Sequence, residues 1–240
     1  LGKENNTGGF RIIVSGYFCG LLFKVTKITV CLIYSMSFPA HFFVTGTDTN
    51  VGKTVVSAML TLGLGAAYWK PVQSGLAPIT DTDYVRQTTG LDGSHFIPER
   101  FRLTEPLSPH AAAAIDGVQI ALSDFQLPAT AKPHLIVEGA GGLMVPLNER
   151  HFILDLIRHL DLPVCLVARS TLGTINHTLL SIAQLRRANI PILGVILNGE
   201  KNPSNRDAIA HYGQVPILGE LEPLTAINPD TLKQAFAQLH

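Results

Sequence analysis

Charge is scarce in this chain, neither sign of it is in excess, and cysteine is scarcer still. Charged residues make up 15% of the 240, whereas a soluble domain commonly carries about a quarter. Lys plus Arg and Asp plus Glu each number 18, so the formal net charge is zero. A chain without a basic surplus has no field with which to gather nucleic acid, and no nucleic-acid partner is expected. Anionic ligands must instead be held by local chemistry. The three cysteines, Cys19, Cys31 and Cys165, offer neither a CxxC nor a Cys/His metal spacing and do not indicate a disulfide framework. A reduced, cytoplasmic setting is expected. Internal repeats and low-complexity tracts are missing as well.

What is present is apolar: 46% of the residues are hydrophobic, in a length that suits one α/β domain. Part of that bias lies near the start. Residues 10–38 form a mostly apolar stretch broken by Lys24 and Lys27, and its longest charge-free run, 12–23, is too short to span a bilayer. That run has the length of a signal-peptide core but no A-x-A-like cleavage site after it. A signal or anchor, a weakly structured appendage, and an over-extended start with the protein proper beginning at Met36 are the three readings. The last is the expectation adopted, with residues 1–37 an extension outside the fold, residues 38–240 one domain, and no membrane partner.

From Ala40 onward, short apolar runs alternate with helix-compatible segments. Strands are expected at 40–45, 67–70, 134–138, 163–168, 192–197 and 215–218, and helices at 53–64, 81–90, 152–160, 174–188, 203–212 and 229–239. Alternation of this kind predicts an α/β fold with a doubly wound, mainly parallel sheet covered on both faces. In such a sheet the ligand lies beyond the carboxyl ends of the strands. The polar and Gly-rich residues fall there, after Thr45, Lys70, Glu138, Ala168 and Leu197. Residues 90–133 carry several prolines and weak periodicity, and their path is not predicted.

The segment FFVTGTDTNVGKTVVSAML is a strand, a turn-rich loop and a helix start. Inward-pointing backbone amides and the positive end of the new helix suit phosphates. Lys53 is expected on the outer phosphates and the Thr54 hydroxyl on Mg²⁺. The match to G-x-x-x-x-G-K-[ST] is off by one, because the first glycine is Gly46 and Thr47 stands in its place. The extra loop lysine usual in chromosome-partitioning and cell-division ATPases is absent from positions 47–50.

Two further segments add charge to this end of the sheet. YWKPVQSG places Lys70 at a strand end, where a lysine neutralises charge developing on a transferred phosphoryl group. LIVEGAGG places Glu138 at the end of a buried strand, a position suited to Mg²⁺. A second carboxylate is expected from ITDTDYVRQ, and spacing leaves Asp81 and Asp83 both open, Asp81 reading equally well as a helix N-cap.

Taken in order, GTDTNVGKT, KPVQSG, a helix-start Asp, SPH, VEGAGG and LGTINH resemble the dethiobiotin synthetase family, from Phe42 to the C-terminus. The resemblance implies a P-loop NTPase fold and an ATP-dependent cyclo-ligase of biotin biosynthesis. Such enzymes use ATP and Mg²⁺ to join CO₂ (from bicarbonate) to 7,8-diaminopelargonate, through a carbamic–phosphoric anhydride. It implies catalytic roles for Lys53, Lys70 and Thr49, with Ser74 also on the diamine. Asn50, Val51, Gly52, Lys53, Thr54 and Val55, with Glu138, Gly139, Ala140 and Gly141, would contact ATP. Asn198 would read the adenine edge, beside Glu222 and Pro223, although Asn198-Gly199 also reads as a simple turn. The family pattern selects Asp83 over Asp81, so that Thr54, Asp83 and Glu138 would surround Mg²⁺. Thr174, Ile175 and Asn176 would bind the substrate carboxylate across the interface of a homodimer.

Some features depart from the family pattern. The helix after the loop is short, Asn50 stands where many relatives carry Glu, and the N-terminal extension has no counterpart. Two other activities stay in view. An amidoligase of the same superfamily usually needs a glutamine-hydrolysing domain, for which the chain has no room. A partner-binding ATPase switch lacks its loop lysine.

Overall fold

The computed structural model describes residues 38–239; the expectations for residues 1–37 lie outside the described residues. The apolar runs form strands because helices cover them on both sides. In chain order the elements are β1 (His41–Gly46), α1 (Lys53–Leu64), β2 (Ala67–Trp69), β3 (Val72–Ser74), α2 (Asp81–Thr89), β4 (Phe96–Ile97), β5 (Phe101–Leu103) and α3 (Pro109–Ile115). There follow β6 (Leu135–Gly142), α4 (Ile153–Leu160), β7 (Val164–Arg169), α5 (Thr174–Arg187), β8 (Ile192–Asn198), α6 (Pro203–Gly213), β9 (Ile217–Leu221) and α7 (Pro229–Phe236).

Seven strands make one sheet in the order β4-β2-β6-β1-β7-β8-β9, and every pair in it is parallel. β3 and β5 form a separate parallel pair at the rim. Alternate residues of each strand enter different cores. Phe42, Val44, Tyr68, Ile136 and Cys165 pack with Val56, Met59 and Leu60 of α1, Val85 of α2 and Leu232 of α7. Phe43, Trp69, Val137 and Leu166 pack with Ala112 of α3, Leu156 of α4, Ile182 of α5 and Ile209 of α6. Helices on both faces of a parallel sheet are the doubly wound arrangement that the alternation predicts.

Two strands differ from their expected bounds by more than one residue. β6 continues through Gly139 to Gly142, because β1 still pairs with it there, Gly46 opposite Gly142. β9 starts at Ile217, since Pro216 has no N–H to give a ladder. Residues 90–133 hold β4, β5, α3 and two single 3-10 turns, all too short to show a period in sequence. None of the described helices is long and apolar enough to cross a membrane.

Candidate active site

β1 ends at Gly46, and the chain turns back on itself before α1 begins at Lys53. A Cβ at Gly46 would lie 2.6 Å from Val51 Cγ2 and 2.9 Å from the Asp48 carbonyl, so only glycine lets the loop fold this tightly. That contact explains why the first glycine sits at 46 in a loop one residue longer than the usual motif. Asn50 takes a left-handed φ of 55°, which asparagine tolerates. Gly52 caps α1 at φ 93°, and a side chain there would strike Asn198. The Lys53 ammonium donates to the Asp48 carbonyl at 2.9 Å. Burial, and then Lys70 beside it, lower its pKa to about 8.

The charged residues meet next to this loop. Glu138 has no exposed surface, and Lys70 is 4% exposed. Burial of a charge is tolerated only with partners, and the partners are present. Lys70 Nζ lies 2.9 Å from Glu138 Oε1 and 2.5 Å from Asp81 Oδ2, and it donates to the Gly139 carbonyl at 3.2 Å. Thr54 Oγ1 is 3.0 Å from both Asp81 Oδ1 and Glu138 Oε1. Tyr68 donates its hydroxyl to Glu138 Oε2 at 3.0 Å. Burial disfavours the Lys70 ammonium, but Glu138 and Asp81 overcome this and raise its pKa. Burial likewise opposes the Asp81 carboxylate, and Lys70 outweighs it, holding that carboxyl below its ordinary value.

The second carboxylate at this cluster is Asp81, which corrects the choice of Asp83. Thr80 is the N-cap of α2, and its hydroxyl accepts from the Asp83 amide at 3.1 Å and donates to Asp83 Oδ2 at 2.7 Å. Asp83 Oδ1 takes Arg86 at 3.1 Å. Asp83 is therefore spent on its own helix, while Asp81, the first helical residue, points at Thr54 and Lys70. The pattern Thr80-x-x-Asp83 is the sequence signal that would have separated them, because a capping pair consumes its third-position acid. Gln73, also buried, accepts from the Asp81 amide at 3.1 Å and donates to the Gly75 carbonyl at 3.0 Å. It ties the start of α2 to the β3 end. Neither Tyr68 nor Gln73 stands out in sequence, although Tyr68 shares its strand face with Lys70.

These groups open onto a cavity of about 870 Å³, lined among others by Thr49, Lys53, Lys70, Ser74, Asp81 and Glu138. Asn50, Gly52, Thr54, Val55, Ala140 and Gly141 also reach it. Ser74 Oγ is buried without a hydrogen-bond partner, as are the hydroxyls of Thr45, Ser57, Thr61 and Thr82. Val51 is buried and Gly139 packs on Phe43, so neither side lines the cavity.

The remaining expected residues lie elsewhere. Asn198 ends β8 beside Leu221 of β9, which brings Glu222 and Pro223 next to it. Its side-chain amide donates one N–H to the Val51 carbonyl at 3.0 Å, which braces the phosphate loop and leaves the second N–H and the amide oxygen for a ligand. Glu222 pairs with Lys201 at 2.6 Å. Thr174, Ile175 and Asn176 form the first turn of α5 and do not line the cavity. Thr174 is buried and donates to the Arg169 carbonyl at 2.6 Å. His110 bonds Ser108 at the start of α3.

Residues 40–231 match a family model described as an AAA domain. The chain is 48% identical over 199 residues to the ATP-dependent dethiobiotin synthetase BioD of Brucella ovis, a match covering 83% of this chain and 93% of that protein. It is 50% identical over 190 residues to the protein of the same name from Paramagnetospirillum magneticum, covering 79% of this chain and 91% of the relative. Among solved structures it is similar to a ParA family ATPase from Chlorobium tepidum, with a TM-score of 0.53 and 14% identity, over 84% of this chain and 100% of that one. At that identity the last likeness is one of fold alone.

Proposed function

The chain belongs to the ATP-dependent dethiobiotin synthetase family, and from this we infer that it is a cyclo-ligase of biotin biosynthesis that joins CO₂ to 7,8-diaminopelargonate with cleavage of ATP. One observation supports this chemistry above the others. Two buried lysines, two carboxylates and a hydroxyl converge on one cavity beside the phosphate loop.

In the proposed reaction one amine takes up CO₂ as a carbamate. A carbamate oxygen attacks the γ-phosphorus, ADP leaves, and a carbamic–phosphoric anhydride remains. The second amine then attacks the carbonyl carbon, phosphate departs with the C–O bonding pair, and the nitrogen's proton goes to solvent. Carbamate and triphosphate are both anions, so the task of the protein is to bring them together and stabilise the transferring charge. Lys53 would hold the outer phosphates. Lys70 would bridge the transferred phosphoryl group and the carbamate. Thr49 and Ser74, both lining the cavity, would contact the diamine or its carbamate.

Mg²⁺ takes oxygen ligands and commonly only one or two carboxylates. The Thr54, Asp81 and Glu138 oxygens fit it, the Thr54 hydroxyl standing within hydrogen-bond distance of both carboxylates. Bound there with ATP, it would supply charge neutralisation at the phosphates. The loop residues 50–55 and the strand end at Gly139–Gly141 would wrap the triphosphate, Gly139 through backbone alone. The remaining Asn198 N–H and its amide oxygen, with Glu222 and Pro223, would face the adenine.

A homodimer is part of the proposal, with Thr174, Ile175 and Asn176 of a second copy on the substrate carboxylate. Their position away from this chain's own cavity supports it, as do the exposed apolar side chains of Leu172 just before α5, Leu180 within it and Met144 beside Gln184. A cytoplasmic setting is likewise proposed.

The test is incorporation of labelled bicarbonate into an acid-stable product with 7,8-diaminopelargonate, ATP and Mg²⁺, for the wild type and Lys53→Ala. Acid destroys free carbamate and expels CO₂, so retained label reports ring closure. Label that needs ATP and vanishes in Lys53→Ala is expected. Folded, ATP-binding wild-type protein that retains none would overturn the assignment.

A further inference from the structure

Glu138 is held by three side chains, and one of them has no part in the reaction above. Tyr68 lies two residues before Lys70. Side chains alternate along a strand, so both project to the same face of the sheet. The β2–β6 register, Tyr68 opposite Ile136 and Trp69 opposite Val137, sets that face beside Glu138. The two carboxylate oxygens are shared out unequally. Oε1 takes Lys70 at 2.9 Å and Thr54 at 3.0 Å, whereas Oε2 has the Tyr68 hydroxyl at 3.0 Å as its one partner among the described residues. Both Tyr68 and Glu138 have no exposed surface, so water does not reach Oε2 to replace that hydroxyl.

We infer that Tyr68 is a positioning residue for the ligase reaction, its hydroxyl fixing the rotation of the Glu138 carboxylate that turns Oε1 toward Thr54. The inference rests on the assignment of Glu138 to Mg²⁺ made above. Groups that orient a metal ligand commonly cost about 10–100-fold in metal affinity when removed. A phenol that merely fills the core beside Val44, Val56 and Met59 would have no such effect.

Tyr68→Phe keeps the ring and deletes the hydroxyl. The full chain carrying it is compared with wild type and Glu138→Gln by calorimetry of ADP binding over a Mg²⁺ titration, by turnover over the same titration, and by thermal unfolding. The expected result is a half-saturating Mg²⁺ concentration raised by about tenfold or more in both titrations. Metal-free ADP affinity stays at the wild-type value, and turnover recovers at high Mg²⁺. A folded Tyr68→Phe protein with wild-type Mg²⁺ dependence, while Glu138→Gln is shifted, overturns the role of Tyr68 alone. No shift in Glu138→Gln either overturns the assignment of Glu138 and the inference with it. If Tyr68→Phe does not fold, 4-fluorophenylalanine at position 68 nearly keeps the shape of the side chain and removes the donor. An unchanged Mg²⁺ dependence in that protein also overturns the inference.

Discussion

Alternate residues of β2 and β6 face opposite layers of the molecule and meet different chemistry. Ala67, Trp69, Leu135 and Val137 enter an apolar core that also takes in residues of α3, α4, α5 and α6. Tyr68 and Ile136 face α1, and beyond them on that side Lys70 and Glu138 carry buried charge. The difference shows how one pleat serves two ends. The apolar face holds the strands in register, and the register sets Lys70 beside Glu138 within 2.9 Å. The other face is apolar as far as Tyr68 and Ile136, and only at its end do Lys70 and Glu138 gain nothing comparable from burial, their charges persisting because each has an opposite partner.

The sharpest way to break the comparison is to unbalance that charged end. Lys70→Met leaves Glu138 buried and Asp81 half-exposed without their cation, and removing one partner of a buried pair costs about 3–5 kcal/mol. Urea unfolding should show that loss, and turnover should disappear. Lys70→Met combined with Glu138→Gln should recover much of the stability and none of the turnover. A single variant as stable as wild type would show that the pair is not electrostatically confined.

The opposite face should respond in stability alone. Leu135 is wholly buried, and Leu135→Ala should cost about 2–5 kcal/mol by lost burial and cavity formation. Turnover per folded molecule should be unchanged, as measured below the onset of unfolding. A drop in turnover without a drop in stability would erase the division of labour between the faces.

Much of this was legible in sequence, for local reasons. The phosphate loop was readable because turn glycine, lysine and threonine lie within nine residues between a strand and a helix. The doubly wound sheet was readable because parallel strands buried on both faces make continuous apolar runs. What was not legible depends on contacts distant in sequence or on elements without a period. β4 has two residues and β5 three, too few to alternate visibly. The bracing of Val51 by Asn198 joins residues 147 apart. The role of Tyr68 needs the β2–β6 register. The choice between Asp81 and Asp83 was different in kind, since the capping pair of Thr80 with Asp83 is local and was there to be read.

That pair of aspartates offers the most direct test of how the site is built. Acid-stable incorporation of labelled bicarbonate is to be measured under single turnover, at saturating ATP and diamine and a fixed Mg²⁺ concentration, for Asp81→Asn and Asp83→Asn. The account predicts a loss of about 100-fold or more in Asp81→Asn, which removes a carboxylate that pairs with Lys70 and would hold Mg²⁺. It predicts wild-type incorporation in Asp83→Asn, with a stability cost of about 1 kcal/mol from the weakened helix start. Wild-type incorporation in Asp81→Asn, with the loss falling on Asp83→Asn, would contradict it.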